Sequence, residues 1–530
     1  MPTLRTPHPE KTPGMIGVYN NMVKPAPMPE LMPDTTGPRL IQAPGTVRRK
    51  ALDVLDHVLV VLPARARDAD WRALPNASQL RAAARRAGSD QPVHGRLNNA
   101  RGTGITVARL PKDATDTFSR LKFAGELLAG VLNEHPGSLG VWLVGHPPER
   151  SRDIADALLR AAHAQAFAMP EWHRKPPRKR KLKSVHLLGL AAHEDFRRTE
   201  ITARAQNLAR WLTALPPNRL DAASYLKLVR ALSKQQGWSL SFLDEAKLEK
   251  LGAGAFLAVS RGNASRDAGI IHLRYRPVKS DKQPARNTLL ALVGKGIIFD
   301  TGGNNLKPHK SMLDMHEDMA GSAVALATLQ ALTELEHPQP VDCWLAVTEN
   351  RVSATAYKSR DVVTASNGTT IEVMHTDAEG RMVLADTLAL AGQEKPGMII
   401  DYATLTGTCV YALTERYSGV FTNREAYAQA LIDTGRYCGE RVWPFPMDAD
   451  YEEDLKSKVA DTLQCSLEGS GDHILAARFL QRFVPESSDW IHVDLSSASR
   501  KGGLGQVPGG ATGFGVRLTV DFLYRDTADG

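Results

Sequence analysis

The chain has 530 residues, of which 42% are hydrophobic, and it carries a formal net charge of +8. This length predicts more than one domain, and the hydrophobic content is ample for large cores. The longest apolar runs are much shorter than the roughly 18 residues of a membrane span, which argues against an integral membrane protein. The four scattered cysteines lack C-x-x-C spacing, which argues against a structural zinc cluster. So few cysteines favour a reducing compartment.

The first part of the chain predicts an arm, a small domain and a connecting helix. Residues 1–48 are rich in proline and lack the apolar core of a signal peptide, so we expect an extended or disordered arm. Residues 49–192 alternate apolar strands such as His57–Leu62 with Ala- and Arg-rich helices such as 153–168. This pattern predicts a small α/β domain, and residues 193–220 predict a linker helix.

The densest basic run of the chain spans residues 174–183. Such a run is typical either of a contact with nucleic acid or another acidic surface, or of a solvated loop between strands. No aromatic residues interleave with the basic ones, so single-strand binding has no support and the solvated loop is favoured.

A first group of charged residues follows a predicted strand. The short apolar run at 287–293 predicts a buried strand that delivers Lys295, within a Gly-Lys-Gly triplet, and Asp300. Asp318 precedes the apolar stretch 319–332, which has the length and composition of a helix. Open α/β sheets bind ligands where strand ends meet helix starts, so this group is a candidate binding site.

A second group lies in the stretch His-Thr-Asp-Ala-Glu-Gly-Arg, residues 375–381. Asp377 and Glu379 are one residue apart, and the apolar segment 382–385 follows directly. Carboxylates this close repel each other unless a positive charge lies between them. The two groups together predict a metal or phosphate site. The G-x-S-x-G, H-E-x-x-H and P-loop motifs of rival chemistries are absent from the sequence.

Six segments carry a resemblance to a known family. They are LVGKGIIFDTGG, NNLKP, MHEDMAGSA, HTDAEGRMVLADTLAL, DYATLTG and GGATGFGV, in this order. The chain resembles the leucyl aminopeptidase (cytosol aminopeptidase) family of dinuclear metallo-exopeptidases over roughly residues 204–522. The resemblance implies an α/β protein, with a variable N-terminal α/β domain followed by a C-terminal mixed-sheet α/β/α catalytic domain at 221–530.

The resemblance also implies a site. Two divalent metal ions, Mn or Zn, would be held by five residues: Lys295, Asp300, Asp318, Asp377 and Glu379. Lys307 and Arg381 would be catalytic, with a bicarbonate held at Arg381. The recess for the N-terminal side chain of the substrate would be lined by Met315, Thr404 and Gly407. Four carboxylates balance two divalent ions if Lys295 binds as the free amine, which metal binding requires.

The function implied is that of an aminopeptidase that hydrolyses the N-terminal residue of peptides, with Leu and other apolar residues preferred. A metal-bridged hydroxide would be the nucleophile, because metal ions lower the pKa of bound water. We expect a cytoplasmic homohexamer. The alternatives are a dipeptidase or Cys-Gly hydrolase with the same site, and an additional DNA-binding role through the basic N-terminal region.

The chain departs from the family pattern at four places. His375 stands where the family usually has Asn, and His316 where Lys is common. The loop 349–357 lacks the family's Pro-Gly-Gly, and Gly-Asp-His at 471–473 replaces a small, apolar Gly-Ala-Ile. None of these changes removes a predicted ligand, so we expect them to affect substrate preference rather than catalysis.

Overall fold

The computed structural model describes residues 31–88, 91–175, 181–277 and 289–525. Most of the predicted proline-rich arm and half of the basic run at 174–183 lie outside these ranges. Within them, no helix combines the length and the apolar composition that a membrane crossing requires. All four cysteines are buried and unpaired, as predicted.

The N-terminal part of the described chain alternates strands and helices. In chain order they are β1 (Arg39–Ala43), α1 (Arg49–Asp53), β2 (His57–Leu62), α2 (Asp68–Arg72), α3 (Ala77–Ala87), β3 (Val93–Arg96), β4 (Gly104–Arg109), α4 (Thr117–Leu132), β5 (Ser138–Leu143), α5 (Pro148–Ala166) and β6 (Ser184–Leu188).

These strands form one six-stranded sheet in the order β1-β6-β5-β2-β4-β3. All neighbours are parallel except β3, which is antiparallel to β4. Every residue of β2 is buried, as expected of a strand covered by helices on both faces. The first strand, β1, falls inside the segment predicted to be an arm. The sheet therefore begins about ten residues earlier than the composition indicated, because β1 pairs along its backbone with β6 despite the surrounding prolines.

The predicted linker helix is α6 (Arg197–Thr213). Its Arg210 is 1% exposed and donates to the carbonyl oxygen of Ala164 at 3.0 Å and to that of Ala511 at 3.2 Å. One buried guanidinium therefore ties the N-terminal part to the last segment of the chain.

The remaining elements belong to the C-terminal part. They are α7 (Ala222–Gln236), β7 (Ser239–Asp244), α8 (Glu245–Lys250), α9 (Gly254–Ser260), β8 (Gly269–Tyr275), β9 (Leu290–Asp300), α10 (His309–Met312), α11 (Ala320–Glu334), β10 (Val341–Asn350), β11 (Val362–Thr364), β12 (Thr370–Glu372), α12 (Glu379–Gln393), β13 (Met398–Ala403), α13 (Gly407–Leu413), β14 (Ser418–Thr422), α14 (Glu425–Cys438), β15 (Val442–Pro444), β16 (Thr462–Leu463), α15 (Asp472–Gln481), β17 (Asp489–Asp494), β18 (Ser499–Arg500), β19 (Gly510–Ala511) and α16 (Val516–Arg525). Short 3-10 helices span Met315–Glu317, Thr414–Arg416 and Ala449–Leu455.

The C-terminal part is built on an eight-stranded mixed sheet in the order β15-β14-β17-β13-β9-β10-β8-β7. Its centre, from β17 to β10, is parallel, while β8 and β7 add antiparallel strands at one edge. One face carries the apolar core shared with α6, α7, α11, α14 and α16, and the other carries the core shared with α9, α12 and α15. The predicted α/β/α arrangement around a mixed sheet is confirmed.

Close backbone contacts fix α11 against the centre of this sheet. A Cβ atom on Gly294 of β9 would lie 2.5 Å from Ser322 Cα, and one on Gly321 of α11 would lie 2.1 Å from the carbonyl oxygen of Tyr402. Only glycine permits such an approach. The strand predicted to end at Gly294 continues through this residue to Asp300.

Candidate metal centre

The five predicted ligands converge at the carboxyl end of the central strands. Lys295 lies within β9 and Asp300 ends it, while Asp318 lies two residues before α11. Asp377 lies two residues before α12, and Glu379 is the first residue of that helix. The strand β9, its connection to α11 and the connection from β12 to α12 thus bring together residues that are up to 84 positions apart in the sequence.

Lys295 lies among the carboxylates. Its Nζ is 2.8 Å from Asp318 Oδ1 and 3.0 Å from Glu379 Oε1, and it donates to the carbonyl oxygen of Thr404 at 3.0 Å. A Cβ atom on Gly380 would lie 2.7 Å from this Nζ, so glycine at this position leaves room for the lysine.

Lys307 occupies the other side of the cluster. Its Nζ is 2.8 Å from Asp300 Oδ2 and 2.5 Å from Asp377 Oδ1. Four carboxylates therefore share two ammonium groups in a largely buried space.

This arrangement shifts the acidities of its members. Burial raises the pKa of Asp318 to about 8 against the opposing effect of Lys295, and burial together with Asp300 and Glu379 raises the pKa of Asp377 to about 7. Burial lowers the pKa of the Lys295 and Lys307 ammonium groups, but the surrounding carboxylates outweigh it and raise both above their ordinary value. The negative charges are thus only partly compensated by the two lysines.

The donor set fits a divalent cation. Oxygens of Asp300, Asp377 and Glu379 all lie within 4.8 Å of one another. Asp318 Oδ2 and Glu379 Oε2 are buried and have no hydrogen-bond partner among the residues that the structure describes. A buried carboxylate oxygen without a partner is costly, and hard cations prefer such ligands. The geometry and the uncompensated charge therefore both suit metal binding.

Asn350, which was not among the predicted site residues, positions two of these acids. Its Nδ2 donates to Asp300 Oδ1 at 2.8 Å and to the carbonyl oxygen of Thr376 at 2.9 Å. The hydroxyl of Tyr357 donates to the same carbonyl oxygen at 2.7 Å. Both residues belong to or border the loop that departs from the family pattern, and both keep the segment before Asp377 in place.

Gln464 is a second positioning residue that sequence reasoning missed. Its fully buried side chain accepts hydrogen bonds from the backbone N–H groups of Met374 and His375, each at 3.0 Å. Its Nε2 donates to the carbonyl oxygen of Ala378 at 3.0 Å. One amide thus holds both ends of the turn that carries Asp377.

His375 takes part in the same turn. Its Nδ1 accepts a hydrogen bond from the backbone N–H of Asp377 at 3.2 Å. Burial lowers the pKa of His375, and Lys307 lowers it further, which favours the neutral ring that such an acceptor needs. The imidazole can therefore serve the hydrogen-bonding role of an amide side chain.

Arg381 already has an anionic partner within the chain. The buried guanidinium donates from one Nη to Asp472 Oδ2 at 2.7 Å and from the other to the carbonyl oxygen of Gln464 at 3.2 Å. Asp472 belongs to the Gly-Asp-His segment that replaces a small, apolar one. The predicted bicarbonate would have to bind beside this carboxylate, and like charges repel.

A cavity of about 400 Å³ opens beside the cluster. The three residues predicted to line the substrate recess, Met315, Thr404 and Gly407, all line it, together with the seven cluster residues named above. Asp494 fixes its floor, because its Oδ1 accepts from the backbone N–H of Leu405 at 3.2 Å and its Oδ2 from the Thr406 hydroxyl at 2.7 Å. The structure therefore joins every sequence-predicted site residue in one cavity.

Known proteins resemble the chain in sequence and in fold. Residues 207–520 match the model of the cytosol aminopeptidase family, catalytic domain. The probable cytosol aminopeptidase of Parasynechococcus marenigrum (strain WH8102) is 36% identical over 442 residues, which cover 82% of this chain and 89% of that protein. The probable cytosol aminopeptidase of Synechococcus sp. (strain CC9902) is 39% identical over 397 residues, covering 73% and 78% of the two chains.

Two solved structures extend the similarity. A mutant of tomato leucine aminopeptidase superposes with a TM-score of 0.80 at 29% identity, covering 92% of this chain and 97% of its own. The bottromycin maturation enzyme BotP in complex with Mn superposes with a TM-score of 0.75 at 29% identity, covering 89% and 99%.

Proposed function

The chain belongs to the cytosol aminopeptidase family and is a peptidase, and from this premise we propose that it removes N-terminal residues from peptides in a metal-dependent reaction. The observation that carries the proposal is the convergence of Lys295, Asp300, Asp318, Asp377 and Glu379, with buried carboxylate oxygens that lack a partner. Such a cluster of acids suits the metal ions of a hydrolase, and the cavity beside it is large enough for the end of a peptide.

Two divalent ions are the proposed cofactors. Lys295, Asp300, Asp318 and Glu379 would hold one, and Asp300, Asp377 and Glu379 the other. When bound, such ions supply Lewis-acid activation of a water molecule and of the scissile carbonyl. The presence of Mn in the related BotP structure supports Mn as one candidate, with Zn as the other.

Lys307 is the proposed electrostatic catalyst. Burial opposes its charge, but Asp300, Glu379 and Asp377 raise the pKa of the ammonium above its ordinary value, so it stays protonated at neutral pH. A protonated amine beside the reacting carbonyl donates to the oxygen on which negative charge develops, and such donors are worth about 3 kcal/mol of barrier each. Arg381, which is the second proposed catalytic residue, also lines the cavity and is held in place by Asp472.

The recess supports a preference for apolar N-terminal residues. Met315, Leu405 and Val410 provide apolar walls, and Gly407 leaves space where a side chain would otherwise stand. Leucine and methionine side chains suit such a recess. Peptides are the proposed substrates, with their free N-terminal amine at the cluster of metal ligands.

Association into a hexamer and a cytoplasmic location complete the proposal. Val410 lines the cavity, and the adjacent Tyr411 is 89% exposed on the same short helix. Val410 is itself 37% exposed, and adjoining exposed apolar side chains support a surface that another subunit covers. Sedimentation velocity measures this directly, and a monomer at micromolar concentration would contradict the hexamer.

A panel of aminoacyl-aminomethylcoumarin substrates tests the function. We expect the protein loaded with Mn or Zn to hydrolyse Leu- and Met-coumarin, and to leave N-acetyl-Leu-coumarin intact. Chelation should abolish the activity, and Lys295→Arg should lower metal content and activity together, because arginine does not lose its proton. Lys234→Arg, on the exposed face of α7, is the matched control.

Failure on every free-amine substrate would refute the aminopeptidase proposal. Cys-Gly and other dipeptides in the same panel separate the alternative, since a dipeptidase would cleave them and leave tripeptides intact.

A further inference from the structure

We infer that the substrate recess also accepts long, cationic N-terminal side chains, lysine or arginine, whose charge is recognised by Glu317. This inference rests on the proposed function and names a substrate class for the same cavity. The apolar preference proposed above concerns only the stem of the substrate's N-terminal side chain, and this inference adds recognition of a charged group at its end.

A second acidic group lines the cavity, apart from the metal ligands. It consists of Asp314, Glu317 and Glu415, and all three line the cavity. Asp314 and Glu415 act electrostatically on the Glu317 carboxylate, whereas the ligand residues act on one another. The cavity thus has two separate centres of negative charge.

The second acidic group has no cationic partner among the described residues. The ligand cluster contains Lys295 and Lys307, but no ion pair joins Asp314, Glu317 or Glu415 to any Lys or Arg that the structure describes. The neighbouring arginines are directed elsewhere: Arg416 contacts the Thr414 hydroxyl at 3.5 Å, and Arg500 donates to the carbonyl oxygen of Gly503 at 2.6 Å.

Two serines that line the cavity support a polar ligand. Ser499 donates to Glu317 Oε1 at 3.2 Å. Ser496, which also lines the cavity, is only 6% exposed, and its Oγ has no hydrogen-bond partner in the described structure. A buried hydroxyl without a partner is uncommon, and Ser496 lines the cavity that a substrate side chain enters.

A lysine or arginine side chain fits both the apolar and the acidic residues that line this cavity. Its free α-amine belongs at the ligand cluster, and its methylene stem can lie along Met315 and Leu405, which line the same cavity. Long basic side chains commonly bury the stem and leave the charged head at a polar group. The head then meets the Glu317 carboxylate, which is partly screened from water and lacks a counter-ion.

Pairs of substrates that differ only in charge test this recognition. Arginyl- and citrullinyl-coumarin have nearly the same shape, as do lysyl- and norleucyl-coumarin. We expect kcat/KM for the charged member to exceed that for its neutral analogue by about tenfold, mostly through KM. Glu317→Gln should bring both ratios close to one, and Glu415→Gln should lower them less. Glu149→Gln, at an exposed position of α5, is the control and should leave the ratios as they are in the unchanged protein.

The outcomes separate this inference from the function on which it rests. If leucyl- and citrullinyl-coumarin are cleaved but kcat/KM for arginyl-coumarin is no higher than for citrullinyl-coumarin, the inference is wrong and the aminopeptidase proposal stands. If no substrate is cleaved, the proposed function fails, and titration calorimetry of the Mn-loaded protein with L-arginine and L-citrulline still decides the recognition: tighter binding of arginine supports it, and equal binding refutes it. Ser499→Met provides a second variant should Glu317→Gln fold poorly, since a methionine beside Glu317 should lower the charged-to-neutral ratio.

Discussion

At the scale of single residues, Arg381 is paired with a carboxylate of its own chain, that of Asp472. The guanidinium is buried and its carboxylate partner comes from the first residue of α15. Where the family resemblance implies an external anion, the chain supplies one of its own. The Arg381 guanidinium therefore has a fixed counter-ion within the chain.

Removing that counter-ion gives a first prediction. In Asp472→Ala the buried guanidinium loses its partner, which should cost roughly 1–3 kcal/mol of stability and lower kcat/KM. Added bicarbonate or formate should restore both the activity and the melting temperature of this variant, while the unchanged protein should respond little. Asp454→Ala, an exposed carboxylate, is the matched control. Equal stimulation of the variant and the unchanged protein by bicarbonate would show that Asp472 does not fill the anion's place.

Gln464 gives a second prediction. Gln464→Leu keeps the volume but loses three hydrogen bonds to the turn at 374–378. We expect a loss of roughly 1–3 kcal/mol in stability, because buried backbone groups are left unpaired, and weaker metal binding measured by competition with a fluorescent chelator. Gln429→Leu, on the exposed side of α14, should change neither. Undiminished metal affinity in Gln464→Leu would mean that the turn holds its shape without the amide.

The sequence predicted the charged members of the site but not the amides that hold them. Asp377 and Glu379 stand in a dense motif, and their mutual repulsion made a cation necessary. Gln464 and Asn350 carry no charge and lie far from that motif in the sequence. Their role arises only when the fold brings them next to it, which no local pattern indicates.

At the scale of secondary structure, the glycines of β9 and α11 decide where the ligands stand. The sequence indicated that the strand ends at its glycines, since glycine usually weakens a strand. In the fold these glycines lie inside the sheet, and their lack of a side chain lets α11 lie directly on the backbone of β9 and β13. Lys295 and Asp318 are thereby brought within 2.8 Å of each other.

Gly321→Ala tests this close packing. The new Cβ atom would lie 2.1 Å from the Tyr402 carbonyl oxygen and 3.0 Å from the Lys295 backbone nitrogen, neither of which can move aside easily. We expect a loss of about 1–3 kcal/mol in stability from overpacking, measured by thermal unfolding, together with weaker metal binding. Gly130→Ala is the opposite control, because this exposed glycine of α4 meets nothing within 4 Å and alanine should gain about 0.5–1 kcal/mol there. A neutral Gly321→Ala would mean that α11 can shift without harm.

At the scale of the whole molecule, buried groups couple stability to pH. His163, on α5 in the N-terminal part, is 2% exposed, and its Nδ1 has no hydrogen-bond partner in the described part of the chain. Burial, with a further contribution from Arg204, lowers the pKa of His163 from 6.5 to about 4. Between these values the unfolded chain binds a proton that the folded chain does not, so stability falls as pH drops through this window.

The variant His163→Gln should remove that dependence. We expect the free energy of unfolding of the unchanged protein to fall by up to about 3 kcal/mol more than that of the variant between pH 6.5 and pH 4. Thermal or urea unfolding across this range measures the difference. His193→Gln, at an exposed position, should follow the unchanged protein. Parallel pH profiles for His163→Gln and the unchanged protein would refute the assignment.

The overall arrangement of layers was predictable, whereas the edge of the first sheet was not. Apolar strands alternating with helices indicated an α/β fold in both parts of the chain, and the family resemblance indicated the mixed sheet. The sequence pattern did not predict the strand β1, because prolines surround it and none of its five residues is fully buried. Edge strands form through backbone pairing, which composition reports poorly.

The two lysines within the acid cluster have a consequence for metal uptake. Lys295 and Lys307 each lie within 3.0 Å of two carboxylates, and burial raises the pKa of Asp318 to about 8. A cation entering the cluster must therefore displace protons or ammonium groups that already balance the acids. Metal binding then releases protons, so the apparent metal affinity should rise with pH. The heat of titration should also depend on the ionisation enthalpy of the buffer, because the buffer takes up the released protons.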